Sequence, residues 1–493
     1  MSEKHAGRER FALLAGLVLC VFPLAFHTYS DVTRFKFDAM VLVSAALALA
    51  ALATLPEWRK GVCWISPGRW IGLLYFVLTG CAALFGSMHT LTGRYGSVVW
   101  MGAVRYEGMA SQLCYGVIFL VMSLYPADVK KTARIAALGI GVYLGVVLLQ
   151  YADLNPLRLF PKGRSVFTNY EFQGTLGNID MVNVYLTLTV PLALGSYVFL
   201  KERAVFLCLG MGGVLLQCLM EVQSGQMAMV LMAMMLLCAA LAAPKYRTRA
   251  LTVLGLMAFC AMLRELVMLP WLDGGDGIAF GLWHPWRTAA WAGTGVLCMV
   301  CAVLLRRTSW RLSKKEMAGA AACMCVIALL LVFLLPLDAS RGGLYELHEI
   351  LHGRAQDSFG SWRWGVWRYT LDMARSAGIF GNGPDTFYEA LSGYLKAHSL
   401  TLPENFDTPH NLYLGILINH GPLALLSYLA LLVYLCVRLY RLHTQSGWVL
   451  FCALILYAFV SLFMFSLCLV SPMAWCVLGM ASAESDGKRR PKD

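Results

Sequence analysis

Residues 408–438 read TPHNLYLGILINHGPLALLSYLALLVYLCVR, and this stretch decides what kind of protein the chain is. It opens on the turn-forming Thr408-Pro409, runs without an acid, Lys or Arg to Arg438, and is interrupted at Gly421-Pro422. Crossing a bilayer takes about 20 apolar residues, so the run is a membrane helix. From His410 to Arg438 such a helix would extend about 42 Å at 1.5 Å per residue, against a hydrocarbon core of roughly 30 Å. His410 must therefore lie outside the core or above a bend. Gly421-Pro422 supplies the bend, because proline removes a backbone donor and clashes with the preceding turn. Asp407 or Thr408 makes a good N-cap and Pro409 suits the first helical position, so His410 and Asn411 are expected in the first turn. Unpaired amides and partial positive charge at a helix start attract phosphate and favour a neutral imidazole, the form that accepts a proton near pH 7. His420, in apolar helix with no acid nearby, reads as structural.

Outward from this segment the pattern repeats. With 59% hydrophobic and 14% charged residues and a mean hydropathy of +0.64, the 493-residue chain is excluded from the soluble globular class. About fourteen apolar spans start near Phe11, Asp38, Gly68, Ala110, Ala133, Met181, Arg203, Gln226, Ala250, Arg287, Met317, Leu412, Trp448 and Val470, the last of them short. The expected fold class is an all-α polytopic membrane protein of about 12–14 transmembrane helices with one large extracytoplasmic loop. Residues 1–337 hold the first eleven spans, 338–409 the loop, 410–482 the C-terminal spans and 483–493 a cytoplasmic tail. Lys and Arg alternate between loops as the positive-inside rule requires. Lys4, Arg8 and Arg10 share a side with Arg59, Lys130, Lys201, Lys245, Arg306, Arg438 and Lys488. Both termini are then cytoplasmic, and only Arg264, followed by Glu265, falls within a span. The net charge of +12 is an address for topology, not a nucleic-acid footprint. The first span, lacking a small-residue cleavage site, reads as a retained anchor. The sixteen Cys fall almost wholly in spans, without His or acids spaced to bind zinc, so they read as packing residues and no metal is called for.

The polar loop offers the chemistry. Phe359 to Arg375 reads as an interfacial helix with Trp364, Trp367, Leu371 and Ala374 on one face. Arg368, Asp372 and Arg375 can neutralise one another at i, i+4 and i+7, whereas Arg363 leads the helix with no carboxylate in the next turn. Ile379 to Asp385 is a turn by composition, and Asp385 reads as a backbone cap or, less simply, a base. Outer segments at 86–108 (Arg94, Tyr95, Arg105, Tyr106 and Glu107), 152–180 (Arg158, Lys162, Arg164 and Asn178) and 272–285, Gly-rich and ending His284-Pro285, lie on the same face.

His410-Asn411 followed after nine residues by Gly421 resembles the signature of the O-antigen ligase and O-antigen polymerase superfamily. Ser361-Trp362-Arg363, Phe380-Gly381-Asn382-Gly383-Pro384-Asp385 and Gly174-Thr175-Leu176-Gly177-Asn178 occur in the order that such chains show, and the similarity covers roughly Arg164 to Leu435. Two positions depart from the pattern: Ala424 where Gly is usual, and Ser224-Gly225-Gln226 where many members carry an Arg. The resemblance implies a GT-C-like, metal-independent and cofactor-free glycosyltransferase in the bacterial cytoplasmic (inner) membrane. Its donor would be a polyprenyl-diphosphate-linked glycan and its acceptor a glycan, lipid or protein hydroxyl on the extracytoplasmic face. On that reading His410 and Arg363 are catalytic, and Asn411, Arg164, Arg368, Asp385 and Arg354 bind substrate. The rival reading is a transporter or flippase of lipid-linked glycans. It should place ionisable groups at mid-membrane, where this sequence has almost none.

Overall fold

A computed structural model describes residues 3–27, 32–54, 66–93, 96–103, 105–151, 154–159, 174–220, 222–267, 285–337 and 342–486. Every apolar span expected from the sequence is a helix. In chain order they are α1 (Glu3–Gly16, prolonged by a π turn at Leu17–Val21), α2 (Val32–Ala53), α3 (Pro67–Phe85), α4 (Met109–Leu124), α5 (Val129–Tyr151), α6 (Ile179–Phe199) and α7 (Ala204–Met220). They continue as α8 (Gln223–Ala242), α9 (Pro244–Val267), α10 (Pro285–Leu304) and α11 (Lys314–Leu334). The polar loop adds α12 (Gly343–Leu351), α13 (Arg363–Ser376) and α14 (Phe387–Ala397), and the chain ends with α15 (Leu412–Leu442), α16 (Gln445–Val460) and α17 (Ser471–Asp486). Seven of these helices are long and apolar enough to cross a membrane. The one strand pairing among the described residues is the two-residue ribbon of Thr92–Gly93 with Gly96–Ser97. The protein is an all-α polytopic membrane protein.

Burial separates the helices into a centre and a rim. α6 is apolar on all sides and almost wholly enclosed, as a helix without a polar face must be, whereas α10 leaves most of its surface outside. The span expected to be least certain, α17, is buried along its whole length. Its Asp486 accepts from Ser66. The helix runs through 483–486, four residues past the expected boundary of the tail. α2 starts at Val32 instead of near Asp38, so Arg34 and Lys36 fall within the helix. The Lys36 ammonium is fully buried and donates to the carbonyls of Phe22, Pro23 and Ala25 at 2.9, 2.9 and 2.6 Å, the acceptors left open where the first helix stops.

The bend in α15 is where the sequence placed it. Gly421 departs from helical geometry (φ 85°, ψ 169°) just ahead of Pro422. The break frees the carbonyls of Ile418 and Asn419, and the 379–385 turn of the loop fills them. Asn382 N–H donates to Ile418 O and Gly383 N–H to Asn419 O, both at 2.9 Å. In return the carbonyls of Gly381 and Asn382 accept from Ser87 (3.1 Å) and Met88 (2.8 Å), just beyond the end of α3. A Cβ on Gly421 would overlap the Ile379 carbonyl, and one on Gly381 would come within 2.6 Å of Gly421 N. The two glycines let two backbones touch, and that contact fastens the loop to the bundle.

Candidate active site

Two left-handed turns present the two residues expected to be catalytic. Gly360, Ser361 and Trp362 all have positive φ (62°, 56° and 68°), and they turn the chain into α13 with Arg363 as its first residue. The helix therefore starts four residues later than expected. Its opening amides are engaged by backbone: Arg363 N–H donates to Gly360 O, Trp364 N–H to Phe359 O and Gly365 N–H to Asp357 O, at 3.1–3.2 Å. The Arg363 side chain, half-buried, has no hydrogen bond or ion pair among the described residues.

His410 also has positive φ, 48°, a conformation that costs a non-glycine residue on the order of 1 kcal/mol and collects at functional sites. It stands before the helix and not in its first turn. Asn411 is the N-cap, accepting from Leu414 N–H through Oδ1 at 3.1 Å, which displaces Asp407 and Thr408 from the expected role. Leu412 N–H is taken by Ser461 O at 2.9 Å, so two of the first three amides of α15 are engaged and are not open to a phosphate. Asn411, expected to bind substrate, has its amide oxygen committed to this cap.

The expectation of a neutral His410 holds, for a different reason. Burial and then the nearby Arg363 guanidinium push its imidazole below the usual histidine range, while Asp180, the Thr408 carbonyl and Asp407 oppose the shift. Nδ1 lies 3.2 Å from the Thr408 carbonyl and 3.3 Å from Thr408 Oγ1; the carbonyl can only accept, which favours the proton on Nδ1 and the lone pair on Nε2. Phe406 and Phe465 meet the ring edge to face, with centroids 5.8 and 4.9 Å away. The Arg105 guanidinium lies 4.9 Å from the Phe465 centroid, and Arg105 pairs with Asp407.

Two cavities meet at the 408–411 turn, with Asn411 lining both and the His410 and Arg363 side chains lining neither. One is a polar cleft of about 560 Å³ of empty space, lined by Thr408, Pro409 and Asn411 together with Arg105, Glu107, Asp385, Asp407 and His420. The other is an apolar groove of about 660 Å³ between Trp364, Trp367 and Leu371 of α13 and Tyr413, Leu414 and Leu462. Trp367 Nε1–H donates to Pro409 O at 2.8 Å and pins the α13 face to the turn.

The remaining expected residues fall in different places. Arg368 is on the wall of the apolar groove, but its partner is Asp357 (2.8 Å), which also accepts from Tyr369, and not Asp372, which pairs with Arg375 (2.7 Å). Asp385 is half-buried at the polar cleft and caps a segment other than its own, accepting from Ala103 N–H at 2.7 Å; desolvation pushes it up to about 7. Arg354 is held by both carboxylate oxygens of Glu349 at 2.6 and 2.8 Å, lines neither cavity, and keeps Glu349 below the usual range. Arg164 lies outside the described residues. His420 is buried, with Nδ1 3.0 Å from Thr79 Oγ1, as expected of a structural histidine, yet it lines the cleft.

Sequence reasoning missed Asp180, in the first turn of α6, and gave Glu107 no role. Glu107 accepts from Tyr115 (2.6 Å) and Ser466 (2.8 Å), and burial pushes it up to about 8. A carboxylate two residues after a turn-forming Asn178 was the available signal for Asp180, and Asn178 indeed caps α6. No group of three or more His, Cys, Asp or Glu side chains arranged for a metal ion exists among the described residues.

No curated protein matches the chain. Residues 287–429 match the family model described as O-antigen ligase, a span that runs from α10 through the loop and past the α15 bend and holds Arg363, the 379–385 turn, His410 and Gly421. Over this segment the chain is similar to the O-antigen ligases, a class of glycosyl-transferring membrane enzymes.

Proposed function

We propose that this chain moves a glycan from a polyprenyl-diphosphate-linked donor to an acceptor hydroxyl on the extracytoplasmic face of the cytoplasmic membrane, with no metal ion taking part. The observation that carries this reading is His410, held on a left-handed turn beside a polar cleft and an apolar groove, within electrostatic reach of the Arg363 guanidinium, which makes no hydrogen bond or ion pair among the described residues. His410 Nε2 takes the acceptor proton as the acceptor oxygen attacks the anomeric carbon. The bond from that carbon to the diphosphate oxygen breaks, and Arg363 receives the developing charge. The α15 amides contribute less than a free helix start would, so Arg363 bears more of the load. Arg164 is a proposed second phosphate contact. Arg368 borders the groove that would take the first isoprenoid units, Asp385 shapes the polar side, and Asn411 serves by capping. Arg354, held by Glu349, has no part in donor binding.

The flippase reading gains nothing from Arg264 and Glu265, which pair with each other at 2.6 Å in the last turn of α9 and not at mid-span. The test is transfer itself: full-length protein in nanodiscs, a defined lipid-linked donor and a panel of acceptors. His410→Ala is expected to lower turnover at least about 100-fold while inserting normally. Unchanged transfer would remove His410 from the mechanism.

A further inference from the structure

Resting on the proposed glycan transfer, we infer that the polar cleft beside the 408–411 turn is a saccharide subsite, which takes one neutral or amino sugar ring through the side-chain amides of Gln112 and Asn419 and turns acidic sugars away. Two amides carry the inference. Gln112, in the first turn of α4, is 4% exposed and lines the cleft, yet its side chain makes no hydrogen bond among the described residues. Asn419 stands two residues ahead of the Gly421 break in α15 and lines the same cleft. Its backbone carbonyl is filled by Gly383 N–H, but its side-chain Oδ1 is buried and unpartnered among the described residues. Leaving a buried amide unpaired is costly, so two of them on the wall of one cavity mark a place where a polar ligand belongs.

The rest of the lining narrows what that ligand is. At about 560 Å³ the cleft falls in the size range of small-molecule pockets, roughly 300–1,000 Å³. Tyr75, Phe387 and Phe465 give it aromatic walls, against which the C–H face of a sugar ring can lie while its hydroxyls reach the polar groups. A primary amide suits hydroxyls, because it offers an acceptor and two donors. Charge decides which rings can enter. Glu107, Asp385 and Asp407 share the cleft with one guanidinium, Arg105, and Asp407 already holds it. Glu107 accepts from Tyr115 and Ser466 and Asp385 from Ala103 N–H, and neither has a cationic partner among the described residues. Desolvation raises both carboxyls towards a protonated form that can itself donate to a sugar oxygen. A uronic acid or a phosphate would meet these two groups with no unpaired Lys or Arg among the lining residues, so the donor diphosphate is kept out of this cleft as well. Thr408, Pro409 and Asn411 bound the cleft, and a ring held in it therefore adjoins the turn that carries His410.

Binding can be read without any transfer. Saturation-transfer difference NMR on the full-length protein in nanodiscs is recorded with the methyl glycosides of glucose, galactose, N-acetylglucosamine, glucosamine and glucuronic acid. At least one neutral or amino glycoside is expected to bind the wild type, and the glucuronide is not. Gln112→Met and Asn419→Leu, which keep the volume and remove the amide, are each expected to weaken that binding by about 3- to 10-fold. Because neither amide has a protein partner to lose, the melting temperature should hold or rise in both variants. No binding by any glycoside, equal binding of the glucuronide, or variants that bind as the wild type does overturns the inference and leaves the cleft to water alone. A melting temperature that falls in both variants also overturns it, since the amides would then serve the fold. With a defined lipid-linked donor and an acceptor varied separately, KM should rise for one of the two in both variants, and that substrate is the one whose sugar occupies the cleft; two unmoved KM values overturn the assignment. Glycoside binding as stated, in a protein that transfers nothing from any donor, would instead defeat the proposed reaction and leave the subsite standing.

Discussion

Two histidines ten residues apart on one segment show how differently the protein treats the same side chain. His410 sits on a strained left-handed turn, half-exposed, among charges contributed by three separate elements. His420 sits just before the bend of the same helix, 6% exposed, with its ring settled against the hydroxyls of Thr79 (3.0 Å) and Tyr75 (3.5 Å). The first has a lone pair on Nε2 and a neighbouring guanidinium. The second is packed by aromatic and hydroxyl groups that neither gain nor lose charge in a reaction. Identity of side chain decides little; what surrounds it decides whether it is poised to react or to hold the core together.

The widest gap between the two should appear in turnover. His410→Ala is expected to cost at least about 100-fold, while His420→Gln, which keeps a hydrogen-bonding amide, should cost less than about 10-fold in turnover and act mainly on the melting temperature. Equal kinetic losses would erase the distinction. Arg363→Gln comes next, with a loss of about 100-fold against less than about 10-fold for Arg368→Gln, whose guanidinium is already held by Asp357. It also sharpens the comparison through pH. Removing the positive charge lets the depressed His410 pKa rise, so the acidic limb of the pH–rate profile should move to higher pH. A limb that stays in place would mean that Arg363 does not act on the imidazole.

Gly421→Ala probes the bend beneath both histidines. The added methyl meets the Ile379 carbonyl, and the expected result is a loss of about 2–3 kcal/mol in stability, read from chemical denaturation, with freer proteolysis of 338–409. Retained protease resistance would show that the loop is fastened elsewhere.

A smaller effect should come from the cleft carboxyls. Their folded pKa values, about 8 for Glu107 and about 7 for Asp385, lie above the ordinary carboxyl range. Their contribution to stability is then fully present below about pH 4 and is lost as pH rises through 7 and 8. Between pH 6 and 8 the melting temperature should fall, and Glu107→Gln should flatten the slope. A wild-type slope of zero would place both groups nearer water than the structure does.

The sequence was most readable where the solvent imposes the pattern. The fourteen apolar segments that form helices follow from apolar length alone, and the bend follows from Pro422, whose covalent geometry acts in any context. Local rules did less well at the start of α15. Thr408-Pro409 is a good capping sequence, but Asn411 takes the role, while Leu412 N–H is claimed by Ser461, the residue that ends α16. Arg368 has Asp372 four residues away on its own helix, yet it pairs with Asp357, which the 360–362 reversal brings alongside. Asp180 and Glu107 were hard to read for the same reason. Each is 230 or more residues from the His410 turn, and a carboxylate at a helix start or in a loop looks ordinary until helices pack.

The paired glycines at 381 and 421 carry a consequence for exchange between relatives. Because neither backbone tolerates a Cβ on the other, the loop cannot be transplanted as an isolated cassette. A chimera that takes residues 338–409 from one chain must bring a helix whose 418–421 carbonyls and missing side chain match it, so inheritance of acceptor preference should track this junction as a unit.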